Sequence, residues 1–174
     1  MTKTGQITTY GLYFCLFMAI QILIFLHFSL FQGTALCFVY IAFLLILPYD
    51  ISNISLILIG FFSGLFVDMF YNTGGIHAAA TVLIAFLRPY IINTLTPRGG
   101  YEEGVELSVA SLGFRWFATY AIILIFIHHF MLFIIWLLGF GDVLLVLSKT
   151  IASSVFTLVI VLLFQYLIFS PKKV

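Results

Sequence analysis

The sequence predicts an all-α integral membrane protein, a single membrane domain folded as a bundle of about six transmembrane helices. Of its 174 residues, 64% are hydrophobic and only 7% are Asp, Glu, Lys or Arg. A water-soluble domain carries about a quarter charged residues, because its surface faces water. The apolar residues also form long runs, and a bilayer core about 30 Å thick needs roughly 20 helical residues to cross. Composition and run length together place residues 1–174 in a membrane.

Six apolar runs are candidate membrane spans. The first has one basic residue before it and no small-residue cleavage site after it, so we expect a retained span rather than a removed signal peptide. The second run is short, and we expect it to be tilted, bent or partly re-entrant, which leaves five spans as the alternative. The six candidate spans cover residues 10–28, 34–47, 54–71, 75–95, 114–138 and 143–169.

The polar breaks between the runs are short except for one. Residues 72–75 read Asn-Thr-Gly-Gly, a tight-turn sequence whose glycines and asparagine accept positive φ. The long polar segment covers residues 96–113 and holds all three glutamates. The breaks are too short to hold a separate soluble domain.

The distribution of basic residues predicts the orientation. Six spans put both termini on one side of the membrane, together with Arg98 and Arg115. Lys3, Lys172 and Lys173 lie on that side too, whereas Lys149 falls towards the other. Because Lys and Arg are enriched in cytoplasmic loops, we expect both termini and the loop 96–113 to be cytoplasmic.

Asp68 is a carboxylate near the end of the third apolar run. A charged side chain at the centre of a spanning helix costs about 2.5 to 3.5 kcal/mol, and less near its ends. The free N–H groups and the dipole of the next helix, which starts after Gly74 and Gly75, favour a nearby anion. His77 on that first turn and interfacial water are the other expected partners.

Small residues line the same face as Asp68. Gly60 and Gly64 precede it at intervals of four residues and allow another helix backbone to approach closely. The fourth run also has small residues that could pack against this face, and they include Gly74 and Ala78. We therefore predict a tight antiparallel hairpin of the third and fourth runs. Asp68 either fixes this hairpin without any ligand, or contacts a second protein or a bound molecule.

The chain shows no set of residues typical of an enzyme. No second carboxylate, Ser/His pair or metal-spaced cluster lies at the depth of Asp68. We therefore expect no catalytic residues, no metal site and no cofactor. His128 and His129 point about 100° apart on a helix, so they cannot share one metal, and we expect them to bond neighbouring helices. The net charge of +1 and the lack of a basic stripe exclude a nucleic-acid partner.

The pair Arg88 and Pro89 lies in the half of the fourth run nearer the polar loop. Proline removes a helical hydrogen bond, so Pro89 predicts a kink. We expect the Arg88 side chain to snorkel towards the cytoplasmic headgroups.

The stretch GFFSGLFVDMFYNTGGIHAAA, residues 60–80, together with the length and the six runs, resembles the rod shape-determining protein MreD family. That family has a glycine-rich third span ending in Asp, then a short turn and a Gly that opens the next span. The residues at the matching positions are Gly60, Gly64, Asp68, Gly75 and Ala78. The long polar loop and the histidine pair do not align with the family.

The resemblance implies a non-enzymatic inner-membrane component of the bacterial elongation machinery. MreD-like proteins bind the single-span protein MreC and through it link MreB filaments to the RodA glycosyltransferase and its penicillin-binding partner. The resemblance also implies a fold similar to the S components of energy-coupling-factor vitamin transporters. An S component is therefore the alternative function. S components dock through Ala-x-x-x-Ala faces in the first span, where this chain has only Cys15 and Ala19 small at that spacing.

Overall fold

The computed structural model describes residues 3–102, 104–137 and 141–168. Within them, five helices are long and apolar enough to cross a membrane, so the chain is a multi-pass membrane protein built mainly of α-helices. The expected span ends at residues 138 and 169, together with Glu103, Lys172 and Lys173, lie outside the described residues. The candidate spans are Ile7–Phe25, Asn53–Tyr71, Ile76–Thr94, Phe114–Trp136 and Val143–Ile168.

Short elements connect these spans. The first helix, α1, continues as a π-helical turn over Gln21–Phe25, and a two-stranded antiparallel hairpin follows it. This hairpin and an isolated antiparallel bridge between Pro48 and Glu106 depart from the all-α expectation. The elements are α1 Lys3–Ile20, β1 Ser29–Leu30, β2 Ala35–Leu36, α2 Ile41–Ile46, α3 Asn53–Tyr71, α4 Ile76–Thr94, α5 Val109–Leu112, α6 Phe114–Trp136 and α7 Val143–Ile168.

The expected spanning helix at residues 34–47 is wrong, whereas the alternative of five spans agrees with the five candidate spans of the described residues. This second apolar run consists of the turn residue Thr34, β2, four irregular residues, the six-residue helix α2 and Leu47. As an α-helix it would be about 21 Å long at about 1.5 Å per residue, which is too short for a core of about 30 Å. Residues 37–47, the central segment, are at most 5% exposed. The spanning helices therefore enclose this segment and keep its irregular backbone out of contact with lipid.

Side chains of neighbouring helices satisfy the backbone of the central segment. Phe38 N donates to Thr157 Oγ1 on α7 at 3.1 Å. Gln21 of the π-helical turn accepts from Tyr40 N at 3.3 Å and donates to the Cys37 carbonyl at 3.2 Å. A buried backbone group without a partner is costly, so these bonds make the irregular course possible inside a membrane.

The central segment still carries the chain from one end of the bundle to the other. Just before it, Leu36 N bonds Ser153 in the first half of α7, and at its end the Leu47 carbonyl accepts from Arg88 in the second half of α4. The start of α1 and the end of α7 both lie beside the polar loop, where Tyr10 bonds Glu106 and Gln165 bonds Val109 N. The two ends of the described chain thus share one end of the bundle.

The helices α3 and α4 form the expected tight antiparallel hairpin. A Cβ built on Gly64 would lie 2.4 Å from Ala78 Cα and 2.6 Å from its backbone nitrogen. A Cβ on Gly60 would lie 3.1 Å from Ala85 Cβ. Asn72 ends α3 in the left-handed conformation, with φ of 53°, so the chain turns back at once. The glycines thus allow the two helix backbones to touch, as predicted.

Arg88 does not snorkel to the headgroups, so this expectation is wrong. Its side chain is 1% exposed, and Nε donates to Tyr120 Oη at 2.8 Å. The guanidinium also donates to the carbonyls of Leu47 and Pro48, where the central segment ends. These carbonyls have no helical donors, so they attract the cation inwards. Pro89 lies inside α4, which continues to Thr94, and the kink there stays a prediction.

We predict that Gly64→Ala destabilises the protein strongly. The new methyl group would meet the α4 backbone, which cannot move aside as a flexible side chain can, so we expect a loss of about 3 kcal/mol or more. Thermal unfolding in detergent measures the loss. Gly11→Ala is the matched control, because nothing lies within 4 Å of a Cβ at that position. Equal unfolding midpoints for the two variants would contradict the close contact.

We also predict that Arg88→Lys destabilises the protein although it retains the charge. A compact ammonium cannot bond Tyr120 and both carbonyls in the way that the forked guanidinium does. Hydrogen bonds to charged groups contribute about 1.5 to 3 kcal/mol each, so we expect a loss of about 2 kcal/mol or more in the unfolding free energy. Tyr120→Phe removes a hydroxyl that accepts from Arg88 and donates to the Leu45 carbonyl, so it should cost about 1 to 3 kcal/mol. An unchanged midpoint for Arg88→Lys would show that the guanidinium is dispensable.

Candidate functional site

Asp68 lies at the end of α3 and caps the start of α4. Its side chain is 4% exposed. Oδ1 accepts from His77 N at 3.0 Å, and Oδ2 accepts from Ala78 N at 2.9 Å. The residue at the helix N-cap position, Gly75, has no side chain that could accept these bonds. A carboxylate of α3 therefore caps the N-terminus of α4, a role that the side chain at the N-cap position usually performs.

Two further side chains bond the same carboxylate. Thr73 Oγ1 donates to Asp68 Oδ1 at 2.5 Å, and His77 Nδ1 lies 3.1 Å from this oxygen. Thr73 Oγ1 is also 2.9 Å from His77 Nδ1, so the three side chains form a closed set. The helix N-terminus and His77 were both predicted as partners of Asp68. Thr73 was missed, although a hydroxyl in the turn directly after an acidic helix end is a signal that could have identified it.

The turn geometry brings these groups together. Gly74 and Gly75 have φ of 60° and 102°, values that glycine adopts at little cost. Asn72 N–H bonds the Asp68 carbonyl, which closes the end of α3. The chain can therefore reverse within a few residues and aim the first turn of α4 at the carboxylate. The predicted residues Gly60, Gly64, Asp68, Gly74, Gly75, His77 and Ala78 all belong to this α3–α4 hairpin.

The hydrogen bonds of Asp68 bear on its two interpretations. Oδ1 takes three contacts and Oδ2 takes a backbone N–H, all from the turn and the first residues of α4. A carboxylate committed in this way stabilises a helix junction and does not present a free oxygen to a substrate. The geometry thus favours the interpretation in which Asp68 fixes the hairpin.

A second polar group lies in the middle of the bundle around Phe38. The rings of His77, His128 and His129 lie with centroids 5.1, 6.0 and 5.3 Å from the Phe38 ring, and all three histidines are fully buried. Tyr40 Oη bonds His128 Nε2 at 2.8 Å. The central segment thus inserts both an aromatic ring and a hydroxyl between the histidines of α4 and α6.

The histidine pair bonds neighbouring elements, as predicted. His129 Nε2 lies 3.1 Å from Thr157 Oγ1 on α7, and its Nδ1 lies 2.7 Å from the Ile125 carbonyl one turn earlier. His128 bonds the central segment through Tyr40. Within the described ranges, no group of three or more His, Cys, Asp or Glu residues is arranged to hold a metal ion.

Gln21 is the central polar residue that sequence reasoning missed. It is fully buried where α1 widens into the π-helical turn, and it bonds the central segment as well as Tyr71 Oη at 2.7 Å. A π-turn shifts the helical register and is frequent at functional sites. The available signal was a single amide side chain inside an otherwise apolar run.

Family models, curated proteins and solved structures were compared with this chain, and none matches. The residues that carry the MreD resemblance nevertheless lie at one place in the fold. Gly64 touches Ala78, and Asp68 bonds the backbone of the same residue. The pattern in the sequence thus corresponds to one physical junction between two helices.

We predict that Asp68→Ala weakens the α3–α4 hairpin. The change leaves two buried N–H groups without acceptors, at about 1 to 3 kcal/mol each. Asp68→Asn keeps one acceptor oxygen and should fall between Ala and the unchanged protein. Asp142→Ala is the matched control, since Asp142 accepts from Leu145 N at 3.0 Å in an exposed position, where loss of a cap costs about 1 kcal/mol. Unfolding midpoints in detergent that are equal for Asp68→Ala and Asp142→Ala would disprove the role of Asp68.

Proposed function

We propose that this chain is an MreD-like, non-enzymatic scaffold of the bacterial elongation machinery in the cytoplasmic (inner) membrane. In this role it binds an MreC-like single-span protein and helps to link MreB filaments to RodA and its penicillin-binding partner. The observation that carries the proposal is the junction at which Gly64 contacts Ala78 and Asp68 caps α4. These residues are the ones that match the family pattern.

The chemistry of the interior supports a scaffold. Asp68, Arg88 and His129 are buried, and each bonds backbone or side chains of its own bundle. Such bonds hold the helices in fixed positions and keep these three side chains inside the bundle. A protein of this kind acts through the shape of its outer helix faces, which suits the assembly of other membrane proteins.

The same interior supports a scaffold better than the vitamin-binding alternative. An S component encloses its ligand among its helices, whereas here residues 37–47 occupy the middle of the bundle and are at most 5% exposed. A shared fold with the S components remains part of the proposal, because their helix layout is what the MreD resemblance implies. The filled interior points to a use of that layout other than ligand capture.

We place the end of the bundle with the polar loop in the cytoplasm. Arg98 and Arg115 lie at that end, and so do the start of α1 and the end of α7. Lys149 lies at the opposite end, where its Nζ donates to the Gly33 carbonyl at 2.7 Å. The excess of basic residues at the loop end supports a cytoplasmic position for it and for both termini.

The proposal is tested by purifying the tagged protein from its own membranes in a gentle detergent and identifying the proteins that accompany it. We expect MreC, with RodA and the penicillin-binding partner in smaller amounts. An untagged strain is the control for background binding. Recovery of a transport ATPase with its membrane coupling subunit, in place of MreC, would overturn the proposal in favour of the transporter.

A further inference from the structure

A lateral apolar groove of about 750 Å³ opens between the first halves of α1 and α3. Gly11 and Phe14 of α1 form one wall, and Phe62 and Ser63 of α3 form the other. Phe43 of the central segment forms part of the floor. The groove faces the membrane, so its occupant comes from within the bilayer.

The groove lies where α1 and α3 are not packed along each other. Helices α3, α4, α6 and α7 pack consecutively, whereas α1 packs against α2 and places Phe17 against Phe164 of α7, with ring centroids 5.8 Å apart. On the α3 side of α1 a groove therefore remains between the two helices, although the central segment beneath it is at most 5% exposed.

Ser63 is a polar residue on the α3 wall of the groove. It is 1% exposed, and its hydroxyl has no hydrogen-bond partner in the described part of the chain. It lies ten residues after the start of α3, or about 15 Å along the helix, which is near the middle of a bilayer core. An acyl chain offers such a hydroxyl nothing, whereas a transmembrane helix offers carbonyls and small polar side chains.

Gly11 provides a surface for close approach on the other wall. A Cβ at this position would have no neighbour within 4 Å, and the residue is exposed. Glycine on an open transmembrane face lets a second backbone come close, which is how helices associate within lipid. The open backbone at Gly11 and the unpartnered hydroxyl of Ser63 favour a helix over a lipid tail as the occupant of the groove.

The end of the groove near the polar loop is acidic. Asp50 lines it, is exposed, and accepts a hydrogen bond from Gly104 N at 3.2 Å. Glu106 lies next to it and accepts from Tyr10 Oη at 3.0 Å. The ion pair found among the described residues is Asp68 with His77, so neither carboxylate meets a basic side chain there. Membrane proteins carry Lys and Arg just beyond their spans on the cytoplasmic side.

We infer that this groove binds the transmembrane helix of a single-span partner protein. The bound helix places a hydroxyl-bearing residue beside Ser63, a small residue beside Gly11 and a Lys or Arg beside Asp50. This inference rests on the proposed function, in which the partner is MreC-like. It adds the surface of this chain on which the partner helix lies.

The test co-expresses this chain with the MreC-like protein of the same organism and measures their association after purification. Gly11→Leu fills the groove from a position with open space around it, so the variant should fold with an unchanged unfolding midpoint and lose at least tenfold in partner recovery. Val155→Phe is the matched control, because Val155 is 54% exposed on the outside of α7. This control should bind the partner as the unchanged protein does.

A crosslinking measurement locates the partner helix independently of stability. With Cys15 replaced by Ser, Phe62→Cys should form a disulfide with a single cysteine at mid-depth of the partner span. Val155→Cys should not. Phe62 and Val155 are 61% and 54% exposed, so the two sites are equally accessible within the membrane.

The outcomes separate this inference from the proposed function. If the unchanged protein retains the partner, while Gly11→Leu retains it equally and Phe62→Cys forms no crosslink, the groove assignment is wrong and the scaffold proposal stands. If the unchanged protein retains no MreC-like partner, both are wrong. Loss of a co-purifying phospholipid from Gly11→Leu, with partner recovery unchanged, would make the groove a lipid site and overturn the inference.

Discussion

The structure depends on one constraint, which is that a largely irregular stretch of backbone, with only the short helix α2 in it, runs through the inside of a membrane protein. Water is excluded there, so every N–H and carbonyl of the central segment needs a partner from the protein. Gln21 supplies partners from α1, Arg88 from α4 and Thr157 from α7. Tyr120 adds one from α6, since its hydroxyl bonds the Leu45 carbonyl at 3.2 Å. The polar side chains of the bundle are therefore arranged around this segment.

The α3–α4 hairpin solves a second, local problem of the same kind. The first N–H groups of α4 have no partners within their own helix, and Asp68 accepts two of them. The carboxylate is stabilised in return by a helix N-terminus, which favours negative charge. Gly64 makes the capping of α4 by Asp68 possible, because only a residue without a Cβ allows α4 to approach α3 so closely. Charge, cap and close packing thus depend on one another.

Sequence reasoning predicted the parts of this molecule that are set by local chemistry. The α3–α4 hairpin could be predicted from residue spacing alone, namely the spacing of Asp68, the glycines of α3 and the turn at residues 72–75. Arg88 was misplaced because the carbonyls that attract it belong to residues 40 positions or more away along the chain. The second run was taken for a span because hydropathy measures burial and cannot distinguish burial in lipid from burial in protein. The MreD-like function stays a prediction from the residue pattern.

The course of the central segment also has a consequence for how the protein is made. The acceptors for the Leu36 and Phe38 N–H groups are Ser153 and Thr157, which lie 117 and 119 residues later in the chain. During synthesis, residues 34–47 are therefore complete long before α7 exists to receive them. Until the last helix enters the membrane, this stretch has to be shielded by the insertion machinery or by the helices already present. Helix α7 thus completes the hydrogen bonding of this stretch, and a chain cut before α7 would keep two unpaired amides inside the bilayer.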